Sequence, residues 1–425
     1  MKKKQVVILS AIALVVVVGI VLAIIFISRG DDKNLVDGSL VEGQPTISIW
    51  HQFAPGSEEQ LYLEELSEQL QSNYDDYQLD VQYFDSSKMR NQLLAANNNG
   101  TLPDVVFVDP ASLPELVRLN ILTSLDETWE DYAEVSGRLL EGAVEVGRRG
   151  EHIYGLPFSL STQMMVYNPE LFTVSSQEIP TTIEALPAAV EGISALDMEV
   201  YGFGVLDFNA TSVTPFIWSN GGELTNVEQN EATEYLNSSS NVQIVEMFSE
   251  LYRSGAIYDQ EAAGGSLLEQ FGTGRVGMAM ADASFLAALA AEYPNMSYET
   301  MLVPAGAGGQ STILDSTLVA IPDTEDAELA WSFVKTLTED ATQKEFASRG
   351  IMPASKVALE SPEAAAAPFA PFIPSLVMAR ALPNATEWQD MDNEFSLAMS
   401  QIVGGYKDAQ KGMDDLANTW DALLP

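Results

Sequence analysis

The sequence from Ile153 to Phe172, IYGLPFSLSTQMMVYNPELF, is the most informative segment of the chain. It begins with a turn at Gly155 and Pro157, continues with small hydroxyl residues, and ends with an apolar strand that closes on Tyr167 and Asn168. This pattern is typical of a backbone segment that crosses between two lobes and exposes hydrogen-bonding groups on the way. We therefore expect two lobes joined by this segment, with its hydroxyl residues facing the cleft between them.

The composition is that of a folded and strongly acidic protein. The chain has 425 residues, 46% of them hydrophobic, and its 61 acidic and 20 basic residues give a formal net charge of −41. This length suffices for two or three compact units. Nucleic acid is not an expected partner, because phosphate binding needs basic surface. A local pocket for an anion stays compatible with the charge, since salt screens the field beyond about 10 Å.

The residues available for catalysis or metal binding are few. The sequence has no cysteine, which excludes disulfides, thiolate metal sites, a thiol nucleophile and a lipid-modified cysteine. With His51 and His152 as the only histidines, zinc and iron are disfavoured, although carboxylates are able to hold calcium. We expect neither a metal nor a cofactor. The sequence has no G-x-S-x-G motif, and Gly202-Phe203-Gly204 is followed by Asp207 where a dinucleotide fingerprint needs glycine.

The N-terminus predicts a membrane anchor over residues 1–28. Three lysines at positions 2–4 precede an apolar run from Val6 to Ile27. At about 1.5 Å per residue this run is long enough to span the hydrocarbon core. Signal peptides have shorter apolar regions and a cleavage site of small residues, so a retained anchor is favoured over a cleaved signal peptide. Basic residues before the span place the rest of the chain outside the cell, and residues 29–45 form a flexible tether.

Strands and helices alternate after the tether. Three strands and two helices are predicted first, over residues 46–50, 57–70, 79–84, 86–97 and 105–108. This alternation favours a parallel sheet flanked by helices, with ligands collecting at the carboxyl ends of the strands. His51, Gln52 and Asp109 mark those ends.

A second set of elements begins near residue 180. Strands and helices are predicted at 201–205, 213–219, 242–252, within 271–280, and at 318–321, 327–337, 386–402 and 407–423. The segment from Pro362 to Pro374, rich in alanine and proline, is predicted to be a low-complexity connection. The second set therefore has the elements to build a core of its own.

Several short motifs follow one another in a specific order. They are Ile49-Trp50-His51, Leu102 to Val106, Tyr154 to Pro157 with Tyr167-Asn168, Asn220-Gly221-Gly222, Phe271 to Met280 with the pattern F-x-x-G-[KR]-x-x-M, and Trp388 with Gly404. Each motif alone recurs widely, but their order and spacing resemble the extracellular solute-binding proteins of ABC importers. The sugar-binding type, family 1, which includes maltose- and glycerol-phosphate-binding proteins, is the most similar group. The resemblance covers nearly the whole chain after the tether.

The resemblance implies an α/β fold of the periplasmic-binding-protein-like type II class, with two α/β lobes, a hinge and a central ligand cleft. Lobe 1 would comprise residues 46–160 and 312–352, and lobe 2 residues 161–311 and 353–425. Proteins of this family close on a solute and dock onto a membrane permease. A ligand drives closure only by contacting both lobes. The implied function is that of a monomeric, extracellular carbohydrate-binding protein of an ABC importer, and not of an enzyme.

The resemblance also implies site residues from both lobes and from the crossing. They are His51, Gln52, Asp109 and Asp315 from lobe 1, Ser161, Thr162 and Gln163 from the crossing, and Asn209, Trp218, Asn220, Asp282, Phe285 and Trp388 from lobe 2. Carboxylates and amides would bind sugar hydroxyls, and aromatic faces would stack on sugar C–H groups.

Several of these residues have structural alternatives. His51 is equally compatible with a core edge, Asp109 and Asp282 with helix caps, and Trp218 and Phe285 with packing. Two departures disfavour a long maltodextrin as the ligand. Val108 stands where maltodextrin-type members often have an aromatic residue, and Ser284 stands where they have a stacking tryptophan.

Other functions remain open at this point. A polyamine-binding protein of the same fold is favoured by the acidic balance and by Asp109 and Asp282. A secreted polysaccharide-acting hydrolase needs two carboxylates flanking a glycosidic bond, and a chain so rich in acids permits such a pair. A sensory ectodomain or adhesin would share the fold without transport.

Overall fold

The computed structural model describes residues 46–73, 78–324 and 327–424, which form two β-sheets flanked by helices. The strands are β1 (Thr46–His51), β2 (Gln78–Tyr83), β3 (Val105–Val108), β4 (Arg148–Arg149), β5 (His152–Ile153), β6 (Leu156–Thr162), β7 (Met164–Tyr167), β8 (Tyr201–Val205), β9 (Ile257–Asp259), β10 (Val276–Ala281), β11 (Glu299–Met301), β12 (Thr312–Ala320) and β13 (Ala379–Arg380).

Helices cover the faces and ends of these sheets. The α-helices are α1 (Glu58–Asn73), α2 (Ser86–Asn99), α3 (Leu113–Arg118), α4 (Leu125–Thr128), α5 (Tyr132–Gly137), α6 (Glu141–Val146), α7 (Pro169–Ser175), α8 (Leu186–Ser194), α9 (Ala210–Ser219), α10 (Ser239–Arg253), α11 (Gln260–Ala263), α12 (Leu267–Gly272), α13 (Ala283–Glu292), α14 (Ala327–Leu337), α15 (Asp340–Arg349), α16 (Lys356–Leu359), α17 (Pro362–Ala366), α18 (Trp388–Val403) and α19 (Ala409–Asp421). Short 3-10 helices span Pro110–Ser112, Ile183–Ala185 and Ala370–Val377.

The first sheet has the order β13-β12-β3-β1-β2, and β6 also pairs with β12. Strand β1 is parallel to β2 and β3, whereas β12 runs antiparallel to β3 and β6. All four residues of β3 are buried, which is expected for a strand covered by helices on both faces. This part of the fold confirms the predicted β-α-β-α-β order.

The second sheet has the order β11-β7-β10-β8-β9. Its strands β8, β9 and β10 are parallel, and β7 is antiparallel to β10 and β11. Helix α8 lies directly on β8, because a Cβ atom at Gly202 would lie 2.0 Å from the carbonyl oxygen of Val190. A side chain at this position would force the helix away from the sheet.

The chain passes between the two sheets three times. The first passage is at Gln163, between β6 in the first sheet and β7 in the second, inside the Ile153 to Phe172 segment. The second passage lies between β11 and β12. The third follows β13 and leads to α18 and α19, which pack against α10 on the second sheet. The Ile153 to Phe172 segment is thus one of three connections.

Two segments differ from the sequence predictions. Strand β12 begins at Thr312 rather than Leu318, because it continues beyond the end of β3 to pair with β6. The Pro362 to Pro374 segment is part of the core, since α17 packs on α15, the 3-10 helix at Ala370–Val377 packs on β6, and Phe369 and Phe372 are fully buried. Pro362 occupies the first turn of α17, where proline starts a helix without losing a hydrogen bond.

The predicted anchor at residues 1–28 and the predicted tether at residues 29–45 lie outside the described residues. Within the described part of the chain, no helix has the length and apolar character needed to cross a membrane.

Candidate ligand-binding cleft

A cleft of about 970 Å³ lies where the two sheets meet. Its lining comes from the passage between the sheets, from the carboxyl ends of strands in both sheets, and from the segment between β13 and α18. Of the predicted site residues, the structure brings these to the cleft: Asp109, Ser161, Thr162, Gln163, Asp282, Asp315 and Trp388.

Ser161 and Asp315 form the base of the cleft. They are direct partners in the antiparallel pairing of β6 and β12. Opposed residues in such a pair project their side chains from the same face of the sheet, with Cβ atoms about 5 Å apart. The cleft base therefore presents a hydroxyl beside a carboxylate.

Asp109 lies close to Asp315 because of the strand register. Leu318 pairs with Val108 at the end of β3, so the earlier residues of β12 extend past that end toward Asp109. Gln52 holds the Asp109 side chain through a 2.9 Å hydrogen bond from Nε2 to Oδ2. Solvent reaches Asp315 from the cleft, but the surrounding walls displace much of its water. This desolvation, with a smaller contribution from Asp109, raises the pKa of Asp315 to about 6.

Hydroxyl groups fix the passage between the sheets. Thr162 Oγ1 donates to the carbonyl oxygen of Ile313 at 2.8 Å, and Thr312 Oγ1 donates to that of Gln163 at 2.8 Å. Thr162 thus lines the cleft, but its hydroxyl proton is already donated to the backbone. Gln163 Oε1 is buried and has no hydrogen-bond partner among the described residues. A buried acceptor of this kind gains free energy from a donor on a ligand.

Asp282 and Trp388 belong to the side of the second sheet. Asp282 follows β10 and caps α13, because its Oδ1 accepts from the Phe285 backbone N–H at 2.8 Å and from Ser284 Oγ at 2.7 Å. The capping alternative is correct for Asp282, which also lines the cleft. Trp388 begins α18, is half-buried, and packs 5.8 Å from the Trp420 ring. It presents an aromatic surface to the cleft.

Sequence analysis missed a basic hairpin at the cleft, formed by β4 and β5. Arg149 donates from Nη2 to the carbonyl oxygen of Pro110 at 2.9 Å and from Nη1 to that of Val146 at 3.4 Å. None of the described carboxylates forms an ion pair with Arg149, and burial lowers its pKa to about 9. The signal was the Arg148-Arg149-Gly150 sequence in a chain with only 20 basic residues.

Two other lining segments were also missed. The turn at residues 227–229 includes Val227, which is 93% exposed, and Gln229, whose Oε1 accepts from the backbone N–H of Asn384 at 2.7 Å. This bond connects the turn to residues 381–386, the segment before α18 that also lines the cleft. Neither segment has a periodic pattern, so the sequence carried no signal for them.

His51 does not reach the cleft. It is 1% exposed and lies beside the rings of Phe53 and Tyr83, at 5.4 and 5.8 Å. Its Nδ1 has no partner within the part of the chain that the structure describes. Burial lowers the pKa of His51 to about 4, so the imidazole is neutral at pH 7. His51 sits at the carboxyl end of β1 as predicted, but its side chain points into the core.

Four further predicted residues have structural roles away from the cleft. Gln52 contacts the cleft only through Asp109. Asn209 caps α9 by accepting from the Ser212 backbone N–H at 2.9 Å. Trp218 is 4% exposed and packs under the Arg380 guanidinium, 4.4 Å from the ring centroid. Asn220 ends α9 and donates to the carbonyl oxygen of Ser240 at 2.9 Å. The side chains of these residues therefore bind other parts of the protein rather than line the cleft.

Phe285 lines a separate, smaller cavity of about 250 Å³ that adjoins the cleft. Gln163 and Asp282 line both spaces. Within the described ranges, no group of three or more His, Asp or Glu residues is arranged to hold a metal ion.

The comparisons with known proteins agree with this architecture. The family model for bacterial extracellular solute-binding proteins matches residues 65–371, so the chain belongs to that family. Proteins of this family bind solutes, and the chain is a binding protein rather than an enzyme. A protein of Brucella abortus that is named as a binding protein is 26% identical over 340 residues, covering 76% of this chain and 80% of its own length.

Solved structures show that the fold is shared with sugar-binding proteins of ABC transporters. The sugar-binding protein MalE of Xanthomonas citri superposes with a TM-score of 0.79 at 18% identity, covering 89% of this chain and 97% of its own. The GacH receptor of Streptomyces glaucescens, solved unliganded and with acarbose, gives a TM-score of 0.75 at 18% identity, with coverage of 90% and 98%. The α/β fold of this class is thereby confirmed.

Proposed function

We propose that this protein captures a carbohydrate, a mono- or oligosaccharide or a glycerol-phosphate-like solute, for an ABC importer. The observation that carries the proposal is the composition of the cleft. It combines the carboxylates of Asp109, Asp282 and Asp315, the amide of Gln163 and the indole of Trp388 within about 970 Å³. Carboxylates and amides bind sugar hydroxyls, and an aromatic surface packs on sugar C–H groups.

In the proposed mechanism, the units built on the two sheets act as lobes that close on the solute. The lobe boundaries that we propose are residues 46–160 and 312–352 for lobe 1, and 161–311 and 353–425 for lobe 2. The packing of residues 353–377 on α15 and β6 favours moving that segment to lobe 1. Small-angle scattering with and without a cognate solute tests closure, and identical radii of gyration would contradict it.

The proposed site is tested with a matched pair of tryptophan variants and a saccharide panel in titration calorimetry. Trp388→Ala is expected to weaken binding about tenfold, because it removes an aromatic contact with the ligand. Trp218→Ala is expected to lower the free energy of unfolding by about 3–5 kcal/mol, because it leaves a cavity in the core. The proposal fails if no mono- or oligosaccharide binds, or if Trp388→Ala changes stability as much as Trp218→Ala and leaves affinity intact.

A polyamine is the second candidate ligand. The observation that favours it is the group of three aspartates in the cleft of a chain with a net charge of −41. Spermidine in the same calorimeter separates the two proposals. Tight binding of spermidine without binding of saccharides would favour the polyamine.

For the location, we propose a binding domain held outside the cell by the apolar segment at residues 1–28 and the tether at 29–45. From there the closed form would dock as a monomer onto a membrane permease. Cell fractionation with an antibody against the domain tests the anchor. Recovery of the domain in the soluble extracellular fraction would support cleavage instead.

A further inference from the structure

The smaller cavity beside the cleft, which we call the annex, has a different chemical character from the cleft. It has a volume of about 250 Å³ and lies between the ends of β8 and β10 and the first turns of α13. Its lining is mainly apolar and includes Val205, Leu206, Leu268, Met280, Phe285 and Ala288.

The annex adjoins the cleft. Gln163 and Asp282 line both spaces, so these two residues form the boundary that the spaces share. At this junction Asp282 is engaged by the Ser284 hydroxyl and the Phe285 backbone N–H. These polar groups lie where the annex borders the cleft, and the rest of its lining is apolar except for Ser284 and for Ser212, whose hydroxyl donates to Asp207.

Small residues on α13 border the space. Ala288 lines the annex and Ser284 stands at its edge. Gly204 lines it only with its backbone, since a Cβ atom there would meet Leu267 and Val276. A large side chain at Ser284 or Ala288 would fill the volume that Phe285 and Met280 leave free. The annex therefore exists because residues on one face of α13 have small side chains.

A sugar ring suits this lining poorly, because its hydroxyls would exchange water for apolar neighbours. An apolar group suits it well, since burial of apolar surface is favourable and a cavity of about 150 Å³ is sufficient for benzene. We propose that the annex receives an apolar substituent of the bound solute. The ligand class is then a saccharide that carries an aryl group or a short alkyl or acyl chain. This inference rests on the proposed carbohydrate function and specifies its ligand.

The test compares methyl and phenyl glycosides of the same sugars, glucose, galactose and maltose, by titration calorimetry on the full chain. We expect a phenyl glycoside to bind at least tenfold more tightly than the methyl glycoside of the same sugar. Ala288→Phe fills the annex and should bring the ratio of the two dissociation constants close to one. Ala290→Phe places the same side chain on the exposed face of α13 and should leave the ratio unchanged.

Ala288→Leu, a smaller filling residue, gives an intermediate ratio and serves if the phenylalanine variant does not fold by circular dichroism. If methyl glycosides bind and phenyl glycosides bind no better, the annex inference is overturned while the carbohydrate function stands. If no glycoside of either series binds, the carbohydrate function fails, and the inference fails with it.

Discussion

The side-chain amide of Asn384 donates a 2.8 Å hydrogen bond to the main-chain carbonyl of Arg148. Arg148 belongs to the hairpin beside the first sheet, whereas Asn384 belongs to the segment that leads to α18 on the second sheet. The backbone N–H of Asn384 donates to Oε1 of Gln229, in the turn that lines the cleft on the side of the second sheet. One side chain thus connects the two walls of the cleft.

Removal of this connection should weaken ligand binding. Asn384→Ala deletes a neutral hydrogen bond worth about 1 kcal/mol, so we expect a roughly fivefold higher dissociation constant if the bond favours the closed form. Asn418→Ala is the control, because it deletes the same kind of amide-to-carbonyl bond within α19.

Because the chain has no cysteine, Glu130→Cys and Met198→Cys would supply the only thiols for spin labels. Met198 is 98% exposed. We expect the distribution of distances between the two spin labels to be wider in Asn384→Ala. An unchanged distribution with unchanged affinity would show that the hydrogen bond from Asn384 to Arg148 does not control closure.

Asp315 should make the protein more stable in mild acid. Its pKa is about 6 in the folded state and 3.8 ordinarily, so between these values the folded protein binds the additional proton. Stability then rises as the pH falls from about 7 to about 4. Asp315→Asn should remove this slope in thermal unfolding, while Asp390→Asn on the exposed face of α18 should retain it. Equal slopes in both variants would contradict the assignment.

His51 should act in the opposite direction. Its pKa falls from 6.5 to about 4 on folding, so between these values the unfolded chain binds the additional proton. Stability is therefore lost as the pH falls through this window, by up to about 3 kcal/mol. His51→Phe should abolish that loss. Because the windows of His51 and Asp315 overlap, each variant is to be compared with the parent and with the double variant. A pH profile unchanged by His51→Phe argues against a neutral buried imidazole.

Arg149 and Arg148 are neighbours with different expected contributions to stability. Arg149→Met removes the hydrogen bonds from a largely buried guanidinium to the carbonyl oxygens of Pro110 and Val146, and we expect a loss of about 1–3 kcal/mol in urea unfolding, although the Leu113 backbone N–H still donates to Pro110. Arg148→Met removes an exposed ion pair with Glu145, which is worth at most about 1 kcal/mol. Similar losses for both variants would mean that Arg149 has no special structural role.

The fold was largely predictable because its strands are locally distinctive. The strands at 105–108 and 201–205 and the helix at 327–337 have the predicted bounds, since each is an apolar or amphipathic run with clear limits. The beginning of β12 was not predicted. Residues 312–317 have the sequence TILDST, which lacks the alternation of polar and apolar residues typical of a strand, and they pair with β6 in the folded protein.

The cleft was less predictable, because the sequence gives strand ends but not side-chain directions. Asp109 was found from its position at a strand end, and Asp282 and Asp315 from the family resemblance, whereas His51 also meets the strand-end criterion but points into the core. Arg149 and Asn384 are placed by contacts with residues far away in sequence, Pro110 and Arg148. The aromatic residues were equally hard to assign from the sequence. Trp218 lies in the last turn of α9 and Trp388 begins α18, and the two differ in burial, since Trp218 is buried and Trp388 is half-buried.

The two threonine hydrogen bonds at Gln163 and Ile313 have a mechanical consequence. Thr162 donates to the carbonyl oxygen of Ile313, and Thr312 donates to that of Gln163, so the two connecting segments are cross-linked in both directions. Sliding one segment along the other would break both hydrogen bonds at once, whereas twisting the pair preserves them. The two hydrogen bonds therefore oppose sliding of β6 along β12 more than they oppose twisting of the two connecting strands.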